Sequence, residues 1–69
     1  MNWVIKCEFD DIEGLFSHFE IRNGENKSII IRNSKSEGTK KQAMKFTSKD
    51  EANGFIDLNK LPDCKPIEI

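Results

Sequence analysis

Apolar and polar residues alternate along the first segment of the chain, WVIKCEF, over residues 3–9. In an extended chain successive side chains point to opposite sides, so a period of two places every second residue on one face. One face of this segment carries Trp3, Ile5, Cys7 and Phe9. The pattern therefore predicts a half-buried β-strand.

The next segment, DDIEGLFSHFEIR, fits two different periodicities. A spacing of three and four residues, typical of one face of a helix, relates Ile12, Leu15, Phe16 and Phe19. Against a helix, Gly14 inside it would cost about 1 kcal/mol, and the end of the segment, HFEIR, has the composition of a strand. We favour a turn at residues 10–14 and a strand over residues 15–22, with a short helix as the alternative.

The pair Asn23-Gly24 lies between HFEIR and KSIIIRN, two segments rich in β-branched or aromatic residues. Asn-Gly tolerates the positive φ angles of a two-residue turn and predicts a β-hairpin here. Three successive isoleucines, Ile29, Ile30 and Ile31, break the alternation and place apolar groups on both faces. We expect this strand to be central in the sheet or covered on both sides, with one apolar face as an interface.

The second half of the chain carries helix and strand signals. Residues 34–42, SKSEGTKKQ, are polar and basic and predict an exposed loop, and AMKFT predicts a return to strand. Ser48 with Glu51 three residues later is a capping box, which predicts a helix over about residues 49–60 that ends before Pro62. The last segment, CKPIEI, can form a short strand, which Pro66 would restrict to a sheet edge, or it can be a simple tail.

Together these segments predict one domain over residues 1–69. The fold class is α+β: a small, mostly antiparallel sheet of three to five strands with the helix at about 49–60 packed on one face. A chain of 69 residues has a thin core, so completing that core with a partner or a second copy is an expected option.

The chain has no recognisable set of catalytic or metal-binding residues. His18 is the only histidine, and no serine or cysteine nucleophile motif accompanies it. Zinc would require convergence of Cys7, His18 and Cys64, which lack paired spacing, and Asp10, Asp11 and Glu13 read as a polar turn. We predict a protein that is not an enzyme, with no catalytic residues, no metal and no cofactor.

Cysteine content and hydropathy suggest a cellular location. No apolar run approaches the length of about 18–20 residues that spans a bilayer, and no signal sequence is recognisable. With only two cysteines, Cys7 and Cys64, a disulfide scaffold is not indicated, and each is expected to act as a small buried apolar residue. We predict no membrane partner and a cytoplasmic location, that of a host cell if the protein is viral.

The charge is unevenly distributed although the formal net charge is -1. Residues 23–49 hold seven lysines and arginines against two glutamates, a net of +5, and the flanking segments are each net acidic. Such a local field orients a charged partner. The candidate partner surface comprises Ile30, Arg32, Lys35, Lys40, Lys41 and Lys45. A nucleic-acid site in segment 32–49 is the alternative, with Phe46 stacking on a base if it faces outward.

The order of strand WVIKCEF, hairpin, strand AMKFT and helix SKDEANGFI resembles that of many small proteins encoded by bacteriophages and mobile elements. Such proteins are often non-enzymatic effectors that bind and inhibit host machinery, including defence systems. The resemblance implies a protein-binding inhibitor that covers a surface of a host protein. A homo-oligomeric structural protein and a small nucleic-acid-binding protein are the alternatives.

Overall fold

A four-stranded antiparallel sheet and two helices make up the fold. The computed structural model describes residues 2–69. Its elements are β1 (Trp3–Phe9), β2 (Ile12–Arg22), β3 (Glu25–Arg32), α1 (Glu37–Gln42), α2 (Lys49–Asn59) and β4 (Cys64–Glu68), and the strand order is β3-β2-β1-β4. The predicted α+β class is confirmed. The difference is a second helix, since α1 forms within the segment that was predicted as a loop.

Two tight turns connect the first three strands. Asn23 and Gly24 have φ angles of 52° and 78°, and the strands on either side pair directly as Arg22 with Glu25, as predicted for an Asn-Gly hairpin. Asp10 and Asp11, with φ angles of 49° and 63°, form a second two-residue turn. The segment after that turn is therefore strand, not helix, and the strand begins at Ile12, earlier than expected.

A β-bulge in β2 explains why its sequence looks partly helical. The pairing between β2 and β3 shifts between Phe16 and His18, so that Ser17 is an extra residue. The shift brings Phe16 and Phe19, three residues apart, to the same face, with ring centroids 5.0 Å apart. The spacing of three that is typical of a helix thus arises here from one inserted strand residue.

Apolar residues are buried on both faces of the sheet. On one face α2 packs through Ala52 and Ile56 against a cluster that includes the fully buried Phe16. Ser48 caps its N-terminus as predicted, since the Glu51 backbone N–H donates to Ser48 Oγ at 3.1 Å. The Glu51 carboxylate accepts from Thr47 rather than from the Ser48 N–H of a full capping box. The opposite face holds a smaller cluster around Val4, Leu15 and Ala43. The strand β1 is therefore buried on both sides at its start, rather than only on one.

Segment 43–46 fits into a gap between β1 and β2 rather than forming a full strand. Those strands pair directly only from Lys6–Leu15 to the turn. Before that point the Met44 N–H donates to the Phe16 carbonyl at 3.0 Å, and Trp3 and Phe46 exchange two backbone hydrogen bonds of 2.9 and 2.8 Å. The predicted strand AMKFT is reduced to a single bridge because the opening is only a few residues long.

The isoleucine-rich strand β3 lies at one edge of the sheet. Of the two alternatives predicted for it, a central position is therefore excluded, and each of Ile29, Ile30 and Ile31 is half-buried. Gly14 of β2 allows β3 to approach closely, since a Cβ there would lie 2.4 Å from the Ile31 carbonyl oxygen. The other edge is β4, which is the first of the two alternatives left open by Pro66, an edge strand or a tail.

The two cysteines lie directly opposite each other on β1 and β4 and form a disulfide. Their Cα atoms are 4.2 Å apart, as in a pair of facing residues without mutual backbone hydrogen bonds. The expectation of two separate thiols is wrong, although Cys7 is buried as expected. The disulfide follows from the strand order, which places β4 beside β1. The two cysteines are 57 residues apart along the chain, so their proximity is not visible in the sequence. Disulfides are typical of oxidising compartments, so the pair counts against the predicted cytoplasmic location, which stays a prediction.

Candidate functional site

The structure brings together three of the six residues predicted to bind a partner. Lys40, Lys41 and Lys45 line one surface depression of about 370 Å³ at the C-terminal end of α1; we call these three residues the lysine corner. Asn2, Glu37 and Ile69 complete its lining. The grouping arises because α1 ends there and the chain turns back into segment 43–46.

The other three predicted residues lie elsewhere. Lys35 lines a different depression beside Lys6 and Glu13. Arg32 is the last residue of β3, and its carbonyl accepts a hydrogen bond of 2.8 Å from the Thr39 hydroxyl. Ile30 packs against the cluster beneath α2, on the opposite face from Glu13 and Lys35. The predicted continuous surface is therefore divided.

The three lysines of the lysine corner differ in their contacts. The Lys45 ammonium donates to the carbonyl oxygens of Lys40 and Ala43, the latter at 2.7 Å, and so satisfies acceptors left free at the end of α1. The Lys40 ammonium lies 3.6 Å from the Glu37 carboxylate and is partly exposed. Lys41 is exposed and has no ion pair among residues 2–69. Lys40 and Lys41 are thus the cations available to a partner.

Phe46 does not face outward. Its exposed fraction is 6%, and its ring centroid lies 5.2 Å from that of Phe55 on α2. A base cannot stack on a ring that is already enclosed by the core. The stacking contribution expected for a nucleic-acid site in this segment is therefore absent from Phe46.

A depression of about 560 Å³ is lined mainly by charged side chains near the first turn. Glu13 Oε1 accepts a hydrogen bond from the Ser34 N–H at 3.2 Å, and Oε2 is shielded from solvent and has no hydrogen-bond partner among residues 2–69. Hydrogen bonds from Ser34, helped by the nearby charges of Lys6 and Lys35, hold the pKa of Glu13 below its usual value despite the opposing effect of burial. Glu13 therefore stays ionised and fixes the segment that follows β3. Sequence reasoning treated Glu13 only as part of a polar turn, because Ser34 is distant along the chain.

An apolar groove of about 300 Å³ lies on the α2 face between β3 and the loop after α2. Ile30 and Ser28 form one side, Leu61 and Pro62 the other, and Cys7 and Cys64 contribute to its lining. Ile30, which is half-buried, lines this groove. The groove is separate from the lysine corner, with which it shares no lining residue.

His18 has neighbours that the sequence did not indicate. Its Nδ1 lies 2.9 Å from Ser17 Oγ, and its Nε2 lies 3.1 Å from Glu20 Oε1. The Ser17 hydroxyl donates to the Gln42 carbonyl at 2.9 Å, so its proton is directed away from the imidazole. Bonds from His18 and Arg22 also hold the pKa of Glu20 below its usual value. None of Ser17, His18 and Glu20 lines the depressions described above.

Within residues 2–69, no group of three or more histidine, cysteine or acidic residues is placed to hold a metal ion. Over the same range, no helix has the length and apolar character needed to cross a bilayer. Comparison with protein-family models, with curated proteins and with solved structures returned no match for this chain. The function must therefore be inferred from the surface geometry.

Proposed function

We propose that the chain is a non-catalytic protein-binding module that binds an acidic surface of another protein through the lysine corner. The observation that supports this most is the convergence of three lysines, opposed by one glutamate, in a chain whose formal net charge is -1. A local positive field of this kind orients an approaching acidic partner even when the whole molecule is nearly neutral.

The proposed mechanism is steric and electrostatic. The depression at the lysine corner takes up an acidic side chain of the partner. The sheet of this chain then covers the partner's surface around that side chain. Following the resemblance described above, we place the partner among host proteins, such as a component of a defence system, which the module would inhibit by covering its surface.

A small nucleic-acid-binding protein is the second candidate. Its cationic requirement is met by the same lysines, but Phe46 is enclosed and cannot stack on bases. Lysines without an accompanying aromatic ring bind phosphates without reading sequence. The enclosed ring is the reason that protein binding is preferred.

The experiment is capture of partners from a bacterial lysate by the immobilised chain, with identification by mass spectrometry. The test variant is K40E/K41E, which leaves the structural Lys45 in place. The control K49E/K65E changes the formal charge equally at exposed positions outside the lysine corner. We expect the variant to bind a captured partner about tenfold more weakly, a change of about 1.4 kcal/mol, and the control to bind like the original chain.

Equal capture by all three proteins would contradict the lysine corner as the binding surface. The same proteins are then applied to immobilised single-stranded DNA at low salt. Retention of the original chain that is lost in K40E/K41E, without a captured protein, would favour the nucleic-acid candidate.

A further inference from the structure

The free edge of β3 carries backbone groups that no other residue of the described range 2–69 satisfies. The pair Arg22–Glu25 closes a two-residue turn, so these residues hydrogen-bond to each other. Along an antiparallel edge strand, alternate residues direct their backbone groups inward and outward. Glu25, Lys27, Ile29 and Ile31 therefore bond to β2, and Asn26, Ser28, Ile30 and Arg32 face outward.

Helix α1 covers only the end of this edge. The outward carbonyl of Arg32 accepts a hydrogen bond from Thr39, which is buried. Among the hydrogen bonds within residues 2–69, none reaches the outward backbone groups of Asn26, Ser28 or Ile30. The unpaired part of β3 is thus a short strip centred on Ser28.

The opposite edge of the sheet is differently constructed. The Glu8 N–H bonds to the Asp63 carbonyl at 3.0 Å, and the Ile69 N–H to the Asn2 carbonyl at 2.9 Å. By the same alternation, Cys64, Pro66 and Glu68 of β4 face outward. Pro66 has no N–H, so the centre of that edge lacks a donor and is protected against strand addition.

We propose that β3 pairs with β3 of a second copy of this chain, antiparallel about a two-fold axis at Ser28. The facing pairs would be Ser28 with Ser28 and, twice, Asn26 with Ile30, with about two hydrogen bonds for each pair. This register uses every outward residue that is free in one copy. The two sheets become one continuous sheet of eight strands.

Neighbouring registers fit less well. A shift by one residue would place an inward-facing residue opposite an outward-facing one, and so lose the hydrogen bonds. A register centred on Ile29 or Ile30 would use Arg32, whose carbonyl is bonded to Thr39. In the register centred on Ser28, the paired strand of the second copy ends at Glu25, opposite Ile31, before it reaches α1.

The charges of β3 are compatible with this register. Lys27 faces Ile29 of the second copy and Glu25 faces Ile31, so no two like charges are directly opposite. Within each copy Lys27 and Glu25 already form an ion pair of 2.7 Å. Because the protected β4 edge cannot continue the addition, the assembly closes as a dimer instead of growing into a fibre.

The contact is small beside a standard interface of about 800 Å² per partner, so we expect a dissociation constant on the order of micromolar. The lysine corner takes no part in the pairing, and the dimer is independent of the proposed function. Sedimentation velocity of the full chain from micromolar to millimolar concentration should show a monomer that converts into a dimer.

The key variant is Ser28→Pro, which removes one outward N–H without removing a β2–β3 hydrogen bond. We expect Ser28→Pro to remain monomeric and Ser28→Thr, which retains the N–H, to dimerise. Amide hydrogen exchange by NMR shows whether Ser28→Pro is folded, since Lys27 and Ile29 should stay protected in it. In the original chain, Asn26, Ser28 and Ile30 should become protected only as the concentration rises.

Two results would overturn the proposal. One is a monomer at every concentration. The other is a dimer that persists in folded Ser28→Pro but is lost in Leu58→Asp or Ile21→Asp, variants of apolar side chains that are 82% and 79% exposed. That result would move the interface to those side chains.

Discussion

The two edges of the sheet show how differently one small fold treats its unpaired strands. Strand β3 has eight residues and no proline, and it leaves the outward backbone groups of Asn26, Ser28 and Ile30 without partners in the part of the chain that the structure describes. Strand β4 has five residues, with Pro66 at its centre and a disulfide that joins Cys64 to β1. Both edges carry apolar side chains, yet only β3 offers a continuous row of donors and acceptors to another strand.

The difference shows that an edge strand can be exposed to solvent without having the backbone N–H groups needed to pair with another strand. Proline at an outward position closes an edge at no cost to the hydrogen bonds with the inner strand. On β3 the corresponding central position is occupied by Ser28, which keeps its N–H. The sheet therefore has one closed side and one open side.

The largest expected effect concerns the disulfide that holds β4. In the C7A/C64A variant, the unfolded chain regains the freedom of a loop with a separation of 57 residues. The expected loss is about 2–4 kcal/mol of the free energy of unfolding. Urea unfolding with and without a reducing agent measures it, because the reductant should destabilise the original chain but leave the variant unchanged. Equal insensitivity of both proteins would contradict a disulfide in solution.

A smaller effect should follow from Gly14→Ala, which disturbs the approach of β3 to β2. The added Cβ would lie 2.4 Å from the Ile31 carbonyl oxygen and 2.8 Å from Ile30 Cγ2. Relief requires a shift of β3, at an expected cost of about 1–3 kcal/mol in urea unfolding.

The matched control is Gly54→Ala in α2. Apart from the helix's own backbone, its new Cβ would meet no atom within 4 Å. Alanine is favoured over glycine within a helix by about 1 kcal/mol, so this control should be more stable than the original chain. If both variants gained stability, the close approach of β3 at Gly14 would be refuted.

The smallest effect on stability is expected for Pro66→Val, which gives β4 the outward N–H that it lacks. Since Pro66 makes no inner-strand hydrogen bond through its nitrogen, the free energy of unfolding should change by less than about 0.5 kcal/mol. Self-association should increase, because both edges are then open and larger assemblies can form. Sedimentation velocity compares Pro66→Val with the original chain, and an unchanged size distribution would show that proline does not protect this edge.

Turns and caps were predicted well because their causes are local. Asn23-Gly24 formed the expected hairpin turn, and Ser48 capped a helix that runs from Lys49 to Asn59, close to the predicted range. Of residues 34–42, predicted as a loop, residues 37–42 form α1 and only residues 34–36 are loop. The helix was missed because it is short and its N-cap residue, Ser36, makes no side-chain cap hydrogen bond. Its packing over the end of β3, through Thr39, is a tertiary contact.

The candidate site was predicted in composition but not in arrangement. The sequence indicated a basic segment, and the structure gathers Lys40, Lys41 and Lys45 at the end of α1 while it separates Lys35 and Ile30. Charge can be counted along a chain, but which charges share a surface depends on where a helix ends and how the chain returns to the sheet.

The sequence alone determined the α+β class, the hairpin at Asn23-Gly24 and the start of α2 at Ser48, and through Pro66 it limited the last segment to an edge strand or a tail. Each of these depends on the backbone preferences of a few adjacent residues. Only the tertiary structure decided the Cys7–Cys64 disulfide, the bulge at Ser17 and the edge position of β3. These depend on strand order and register, which are set by contacts between residues far apart in the chain and by how both faces of the sheet are covered.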